Sequence, residues 1–532
     1  MRSAHALVDD LTARIRPLEL ELADAWWESN THATPEAEQR RIAAELARQR
    51  LFSDADTFAE IRAARAKLAD AAADPTADAL VRRHLDILHD AFMPHQVPEQ
   101  LRREIVELEA RVESTFNTFR GTIGDRRVDN NAIDEILRTS DDSDERRAAW
   151  EASKQIGPEV AGYVRELARL RNRAARELGF RDHFALALAT AELDEDRLFS
   201  TLDDVDRATE EPFRTWKRGL DELLAARFSV DVRELRPWHL DDPFFQETPA
   251  AGAIALDDIF AGADLEALTI RTYEGIGLDV RAVLERSDLY ARDGKSQHAF
   301  CIDMDREGDV RVLCNVEPNE RWMDTMLHEF GHAVYDRETD VTLPWLLRGP
   351  AHSLTTEGIA MLMGRLPRDP SWLTQVAGVG TDAVDAIADR LAAARRAALL
   401  VFARWVLVVT NFERHLYADP ERDLDTLWWD LVEKYQLVAR PDARNEPDWA
   451  SKIHLAVVPV YYQNYLYGEL FASQLAASLR ERAGGLVDRP EAGETLARDV
   501  FAPGASLRWD ELIARATGEP LTASYLAREL ST

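Results

Sequence analysis

The sequence predicts a mostly α-helical protein, and three observations carry that prediction. Apolar residues step by three and four along many segments, the period of one face of a helix. Short polar turns separate those segments, with no Ser/Gly-rich tether to mark off independent domains. Only one stretch reads convincingly as paired strands.

Taken in order, helical patterns run over 36–51 and 77–93. From Pro98 to Phe119, Leu101, Ile105, Leu108, Val112, Phe116 and Phe119 form one stripe of a long amphipathic helix. "SDERRAAWEASKQI" offers Ser143 as the N-cap of the next helix. Further patterns cover 159–178, 195–227, 381–412 and 464–482, with turns such as "REGD" at 306–309 and "AGGL" at 483–486 between segments. "AALLVFARWVLVVTNF" (397–412) is broken by Arg404 and is shorter than the ~20 residues of a membrane span, so it reads as a buried helix.

The β segment is "HAFCIDM" (298–304) and "VRVLCNV" (310–316), which flank the polar turn "DREGD" as a hairpin. A turn centred on residues 307 and 308 sets Cys301 opposite Cys314. Two readings stand: small buried thiols kept reduced, or a redox-sensitive bridge. Two cysteines in 532 residues exclude a disulfide scaffold and a thiolate zinc cluster.

Composition narrows the function. The chain is 46% hydrophobic and 30% charged, the balance of a globular protein, without repeats or low-complexity tracts. With 65 basic and 96 acidic residues its net charge is −31, which repels nucleic acid and anionic membrane surfaces and excludes both as expected partners. "MRSAHALVDDLTARIRPLEL" lacks the apolar run of a signal peptide, and a cytoplasmic location is expected.

The chemistry centres on "HEFGH" (328–332). On a helix, positions i and i+4 share a face, so His328 and His332 can point at one metal ion. Met323, Met326, Phe330 and Val334 supply packing positions, and Asn319 is a suitable cap. Glu329 can reach a metal-activated water without ligating the metal, and accept its proton. Catalytic zinc needs a third protein ligand and an open position. Glu357, separated from His332 by 24 intervening residues and at the start of a second apolar-periodic segment, completes a His2Glu set; His352, in the loop before it, competes for that role. Asp324 and Asp336 lie one turn to either side of the histidines and are candidates to hold a ligand imidazole by its second nitrogen.

The block "HEFGHAVYDRETDVTLPWLLRGPAHSLTTEGIAML" resembles the active-site region of the angiotensin-converting-enzyme family of gluzincin peptidases (family M2), with HExxH, Leu-Pro, Arg and Glu in the same order. "ADAWWESNTHATPEAE" (23–38) is similar to that family's Trp-x-x-Asn-Thr segment and "ARELGFRDHFAL" (175–186) to its Gly-Phe-x-Asp segment. "SQHAFCIDMDREGDVRVLCNV" resembles its substrate-binding hairpin, and "SKIHLAVVPVYYQNYLYGELF" the stretch holding its Lys, His and Tyr. The resemblance implies that Lys452 binds a substrate's C-terminal carboxylate. It implies too that His454 and Tyr465, or Tyr462 one turn earlier, hydrogen-bond the oxyanion, and that His298 and Ala299 pair with substrate. A donor aimed at charge that exists only in the transition state is what such chemistry requires.

Several positions depart from that family. Asn464 replaces the Arg that holds an activating chloride, so chloride dependence is not expected, and Met361 replaces an Asp one turn after the third ligand. Gln297 stands at one half of the family's hairpin disulfide, and Asp258 is nearest in register to its carboxylate-binding Gln. A more distant resemblance is to thimet oligopeptidase and oligoendopeptidase F (family M3), through HEFGH, the distant Glu and "YLYGELF" (465–471). Both families imply a large helical ellipsoid with a deep central substrate channel and a small β-hairpin beside the zinc. That is a single metallopeptidase domain spanning 1–532, with room for two helical lobes.

The expectation is a peptidase with one Zn2+ per chain that acts on short peptides and has no nucleic-acid or membrane partner. A zinc amide hydrolase acting on a small metabolite, and a catalytically silent peptide-binding protein of the same fold, are the alternatives.

Overall fold

The computed structural model describes residues 2–70, 79–249, 254 and 256–531. Among them the protein is mostly α-helical, with two small antiparallel two-stranded sheets. The predicted helices are observed as Pro35–Phe52, Ala79–Phe92, Glu99–Thr118, Ile156–Glu177, Glu195–Phe228 and Tyr462–Ala483. Residues 77 and 78 of the first segment's neighbour lie outside the described residues. The segment 381–412 divides into Thr381–Asp385 and Ala388–Ala418. The cap before Ser143–Lys154 is Asp142 rather than Ser143, because its carboxylate accepts from the backbone N–H groups of both Asp144 and Glu145.

The chain forms two compact units. One comprises Met1–Gln96, Ala255–Leu391 and Tyr467–Leu526, the other Val97–Ile254, Ala392–Leu466 and Ala527–Thr532. In the first, Ala4–Thr31 and its neighbouring helices bury Leu7, Leu11, Ile15, Phe52, Leu85 and Phe92 in one apolar cluster that also takes in Trp345 and Leu346. In the second, the segment 397–412 is a buried helix, as read from sequence. Its one interior charge, Arg404, is 2% exposed and is held by the Asp206 carboxylate and by the Asp206 carbonyl at 2.8 Å. A buried guanidinium without those partners would carry its full desolvation penalty. No helix of the described residues is long and apolar enough to cross a membrane.

The hairpin pairs Phe300–Asp303 with Val310–Leu313. Its register sets Cys301 opposite Val312, so the two cysteines do not face each other, and both are free thiols. The loop explains the shift of two residues in pairing. Asp303 accepts from the N–H groups of Asp305 and Arg306, and Asp305 from those of Glu307 and Asp309. Arg306 and Gly308 both take positive φ, which closes a six-residue loop centred between 306 and 307.

Candidate active site

The helix Glu320–Glu338 carries HEFGH. Asn319 caps it as expected, its side chain accepting from Trp322 N at 2.9 Å. Met323, Met326, Leu327, Phe330 and Val334 are buried along it, and Tyr273 donates its hydroxyl to the Leu327 carbonyl at 2.6 Å. Burial of that face leaves the two histidines on another, with ring centroids 5.0 Å apart.

The helix Ser353–Gly364 packs beside it at very close range. A Cβ on Gly331 would lie 2.9 Å from Ala360 Cα, so only glycine lets the two backbones approach this far. A similar approach joins Gly358 to the helix Tyr462–Ala483, where a Cβ on Gly358 would meet Phe471 at 2.6 Å and one on Gly468 would meet Glu357 Cβ at 3.1 Å. Glu357 is thereby fixed from two sides.

The result is a group of three metal-ligating side chains, His328, His332 and Glu357, whose ligand atoms all lie within 4.8 Å of one another. Glu357 Oε2 is 3.7 Å from His328 Nε2 and 3.9 Å from His332 Nε2. Two imidazole nitrogens and one carboxylate oxygen converging in this way match the donor set and count of catalytic zinc sites. Burial holds both rings in the neutral form a metal needs: it lowers the His328 pKa to about 4, and with the neighbouring His328 it puts His332 well below the usual range. His352 is turned to another task. It caps the Glu357 helix, its Nδ1 accepting from Leu354 N at 3.0 Å, and it is not in the metal-ligating group.

Glu329 is 8% exposed, and burial, followed by the nearby Glu357, raises its pKa to about 8. The opposing influence is a hydrogen bond from the backbone N–H of Cys301. Strand geometry accounts for that bond. Val312 turns its backbone the other way, its carbonyl accepting from Asp288 N at 2.9 Å and its N–H donating to Ser287 Oγ at 2.8 Å. Its partner Cys301 therefore presents N–H and C=O along the opposite edge, which no strand among the described residues pairs and where its N–H meets Glu329. By alternation Ala299, half-buried, faces that edge as well; His298 is exposed and one residue out of that phase. Trp26 and Trp27, from the Trp-x-x-Asn-Thr segment, pack edge-on against Phe300 at 6.5 and 6.2 Å.

The remaining sequence-predicted residues belong to the second unit. Lys452, 9% exposed, donates to Gln246 Oε1 at 2.7 Å and is enclosed by the rings of Phe244, Trp405 and Tyr462 at 5.3, 5.3 and 5.7 Å. Burial lowers its pKa to about 8 against the attraction of Asp242 and Glu247. His454 packs at a tilt against Tyr462, ring centroids 5.3 Å apart, and burial lowers its pKa to about 4, with Lys452 adding to the effect. Tyr462 is buried among these groups, whereas Tyr465 is only half-buried. Gly468, one turn further along their helix, is the residue that approaches Glu357.

Three features escaped the sequence. Gln246 accepts from Lys452, a pairing the sequence did not point to; Asp258 lies in the short helix Asp257–Phe260. Position 246 is 206 residues from Lys452, and no spacing relates the two. Thr356 Oγ1, not Asp336, stands at the second nitrogen of His332, 2.7 Å from Nδ1; the only sequence signal is its place directly before Glu357. Cys301 acts through its main chain on Glu329, which no side-chain pattern reports.

Comparison with known proteins fits this geometry. Residues 1–212 match the model described as angiotensin-converting enzyme, Peptidase M2, and residues 284–532, which hold the three metal-ligating groups, match that of Peptidase family M3. Each match covers less than half of the chain. No curated protein matches the chain. Members of both families are zinc-dependent in general. The N-terminal part of the chain is thus similar to the one family and its C-terminal part to the other, and both similarities support a metallopeptidase.

Proposed function

We propose that the protein hydrolyses short peptides, with zinc held by His328, His332 and Glu357. The observation that carries this reading is the convergence of those three ligand atoms beside a buried Glu329 that is not itself among them. When bound, zinc supplies Lewis acidity to a water molecule and to the scissile carbonyl. Glu329, whose carboxylate form the positive charge of bound zinc would favour, accepts the proton of the attacking water and delivers it to the leaving amine. The Cys301 N–H fixes the carboxylate of Glu329, so its other lone pairs stay aimed at the water. The edge of Phe300–Asp303 that faces away from Val310–Leu313 receives substrate backbone as an added strand through groups other than the Cys301 N–H, with Ala299 contributing to that edge and His298 flanking it.

Tyr465 and His454 serve as oxyanion donors in this reading. Tyr465 is preferred to Tyr462 because Tyr462 is buried against Lys452 and Trp405, while Tyr465 is only half-buried and lies one turn before Gly468. Lys452 with Gln246 offers one cation and one amide to a C-terminal carboxylate, which supports release of C-terminal dipeptides. The acids Asp242 and Glu247 near Lys452, and the M3 match over the metal-ligating residues, favour a second reading, internal cleavage of oligopeptides.

The test is mass spectrometry of products from a mixed library of short peptides, run on zinc-loaded protein beside Glu329→Gln. The variant should keep its zinc and lose roughly 10²–10⁴-fold in turnover. Successive loss of C-terminal dipeptides supports the Lys452 role, and internal cuts support the second reading. Absence of any Glu329-dependent cut would sink peptide hydrolysis altogether.

A further inference from the structure

We infer that Thr356 is a positioning residue for the metal: its hydroxyl, by accepting the Nδ1–H of His332, fixes the tautomer and ring plane in which Nε2 is offered to zinc. The inference rests on the zinc reading above and extends it to a residue outside the ligand set. Thr356 Oγ1 lies 2.7 Å from His332 Nδ1, a short hydrogen bond. A neutral imidazole carries one proton, on Nδ1 or on Nε2, and only the Nδ1–H form leaves Nε2 free to ligate. A hydroxyl at Nδ1 can accept that proton's bond, so the metal-competent tautomer is the one the structure rewards.

The placement is tightly constrained. Thr356 and Glu357 are consecutive on Ser353–Gly364 and reach His332 at different nitrogens, Thr356 at Nδ1 and Glu357 at 3.9 Å from Nε2. One short helix thus sets both ends of the same ring. That helix cannot drift, because Gly331 and Ala360 bring it into backbone contact with the HEFGH helix, one residue before His332. The position one turn after Glu357, from which a carboxylate could have served, holds Met361, whose sulfur lies 3.3 Å from where a Gly468 Cβ would be. Asp336, one turn beyond His332, is engaged electrostatically with Asp303 and Arg306. A hydroxyl in place of a carboxylate leaves the imidazole less electron-rich, so His332 donates less to the metal and the metal keeps more of its Lewis acidity.

The experiment measures zinc affinity by chelator competition on the full-length protein, with wild type, Thr356→Val, Thr356→Ser and His332→Ala compared. Val keeps the shape and removes the hydroxyl; Ser keeps the hydroxyl. Thr356→Val should weaken zinc about 10–100-fold, and Thr356→Ser should restore affinity to near wild type. The visible spectrum of the Co2+-loaded protein should change with Val and not with Ser. Thermal unfolding of the metal-free proteins separates misfolding from lost affinity. Wild-type affinity in a normally folded Thr356→Val, or equal weakening by Val and Ser, overturns the inference while the zinc reading stands. Wild-type affinity in His332→Ala overturns both.

Discussion

At the scale of single residues, the protein places ionisable groups where water cannot help them and lets geometry decide their protonation. Glu413, in the second unit and outside the group of metal-ligating side chains, shows this. It is 1% exposed; its Oε1 accepts from Val460 N at 2.7 Å, and burial raises its pKa to about 8, with the Val460 bond and Arg171 opposing. An unfolded glutamate titrates near 4.5. Between those values the native state keeps a proton that the unfolded chain has lost. The contribution to stability is therefore full below pH 4.5 and lost as pH rises through about 8. Glu413→Gln removes this dependence, so urea unfolding should show the variant gaining on wild type by up to a few kcal/mol, on the order set by the shift, between pH 5 and 8.5. A constant difference across that range would mean that Glu413 is ionised in the folded protein.

At the scale of elements, the site depends on how closely helices approach. Gly331→Ala would push a methyl into Ala360 backbone, and overpacking of this kind costs about 1–3 kcal/mol. Because the strain falls between the ligand-bearing helices, zinc affinity should fall together with the unfolding midpoint in the same protein; intact affinity would show that the helices can part without disturbing the ligands. This scale also separates what was legible in the sequence from what was not. Amphipathic helices were legible because their periodicity is local, and so were His328, Glu329 and His332, whose geometry follows from helical repeat alone. Glu357 was legible because a new helix begins beside it. The hairpin register was missed because two acids and a positive-φ arginine, rather than strand pattern, place its turn. Thr356 and Gln246 were missed because contacts between segments distant in sequence define them, and a threonine or a glutamine carries no motif of its own.

At the scale of the whole molecule, the candidate metal site belongs to one compact unit and the Lys452 cluster to the other. Zinc that binds only the native site stabilises what holds it, by an amount that grows with the logarithm of free metal over Kd. On chelation, hydrogen exchange should therefore quicken along Glu320–Glu338 and Ser353–Gly364, with a smaller change along Ala388–Ala418. Uniform quickening along all three helices would instead tie both units to the metal.

The chain's itinerary imposes a timetable on synthesis. Each unit is assembled from three separate stretches, and the polypeptide changes unit after residues 96, 254, 391, 466 and 526. On the ribosome, His328, His332 and Glu357 emerge well before Gly468 and Phe471, the residues that seat the Glu357 helix. The nascent chain thus exposes metal-binding side chains before it has the scaffold to aim them. A fragment truncated after the motif would present histidines without a finished site, and neither unit can be excised as one continuous piece.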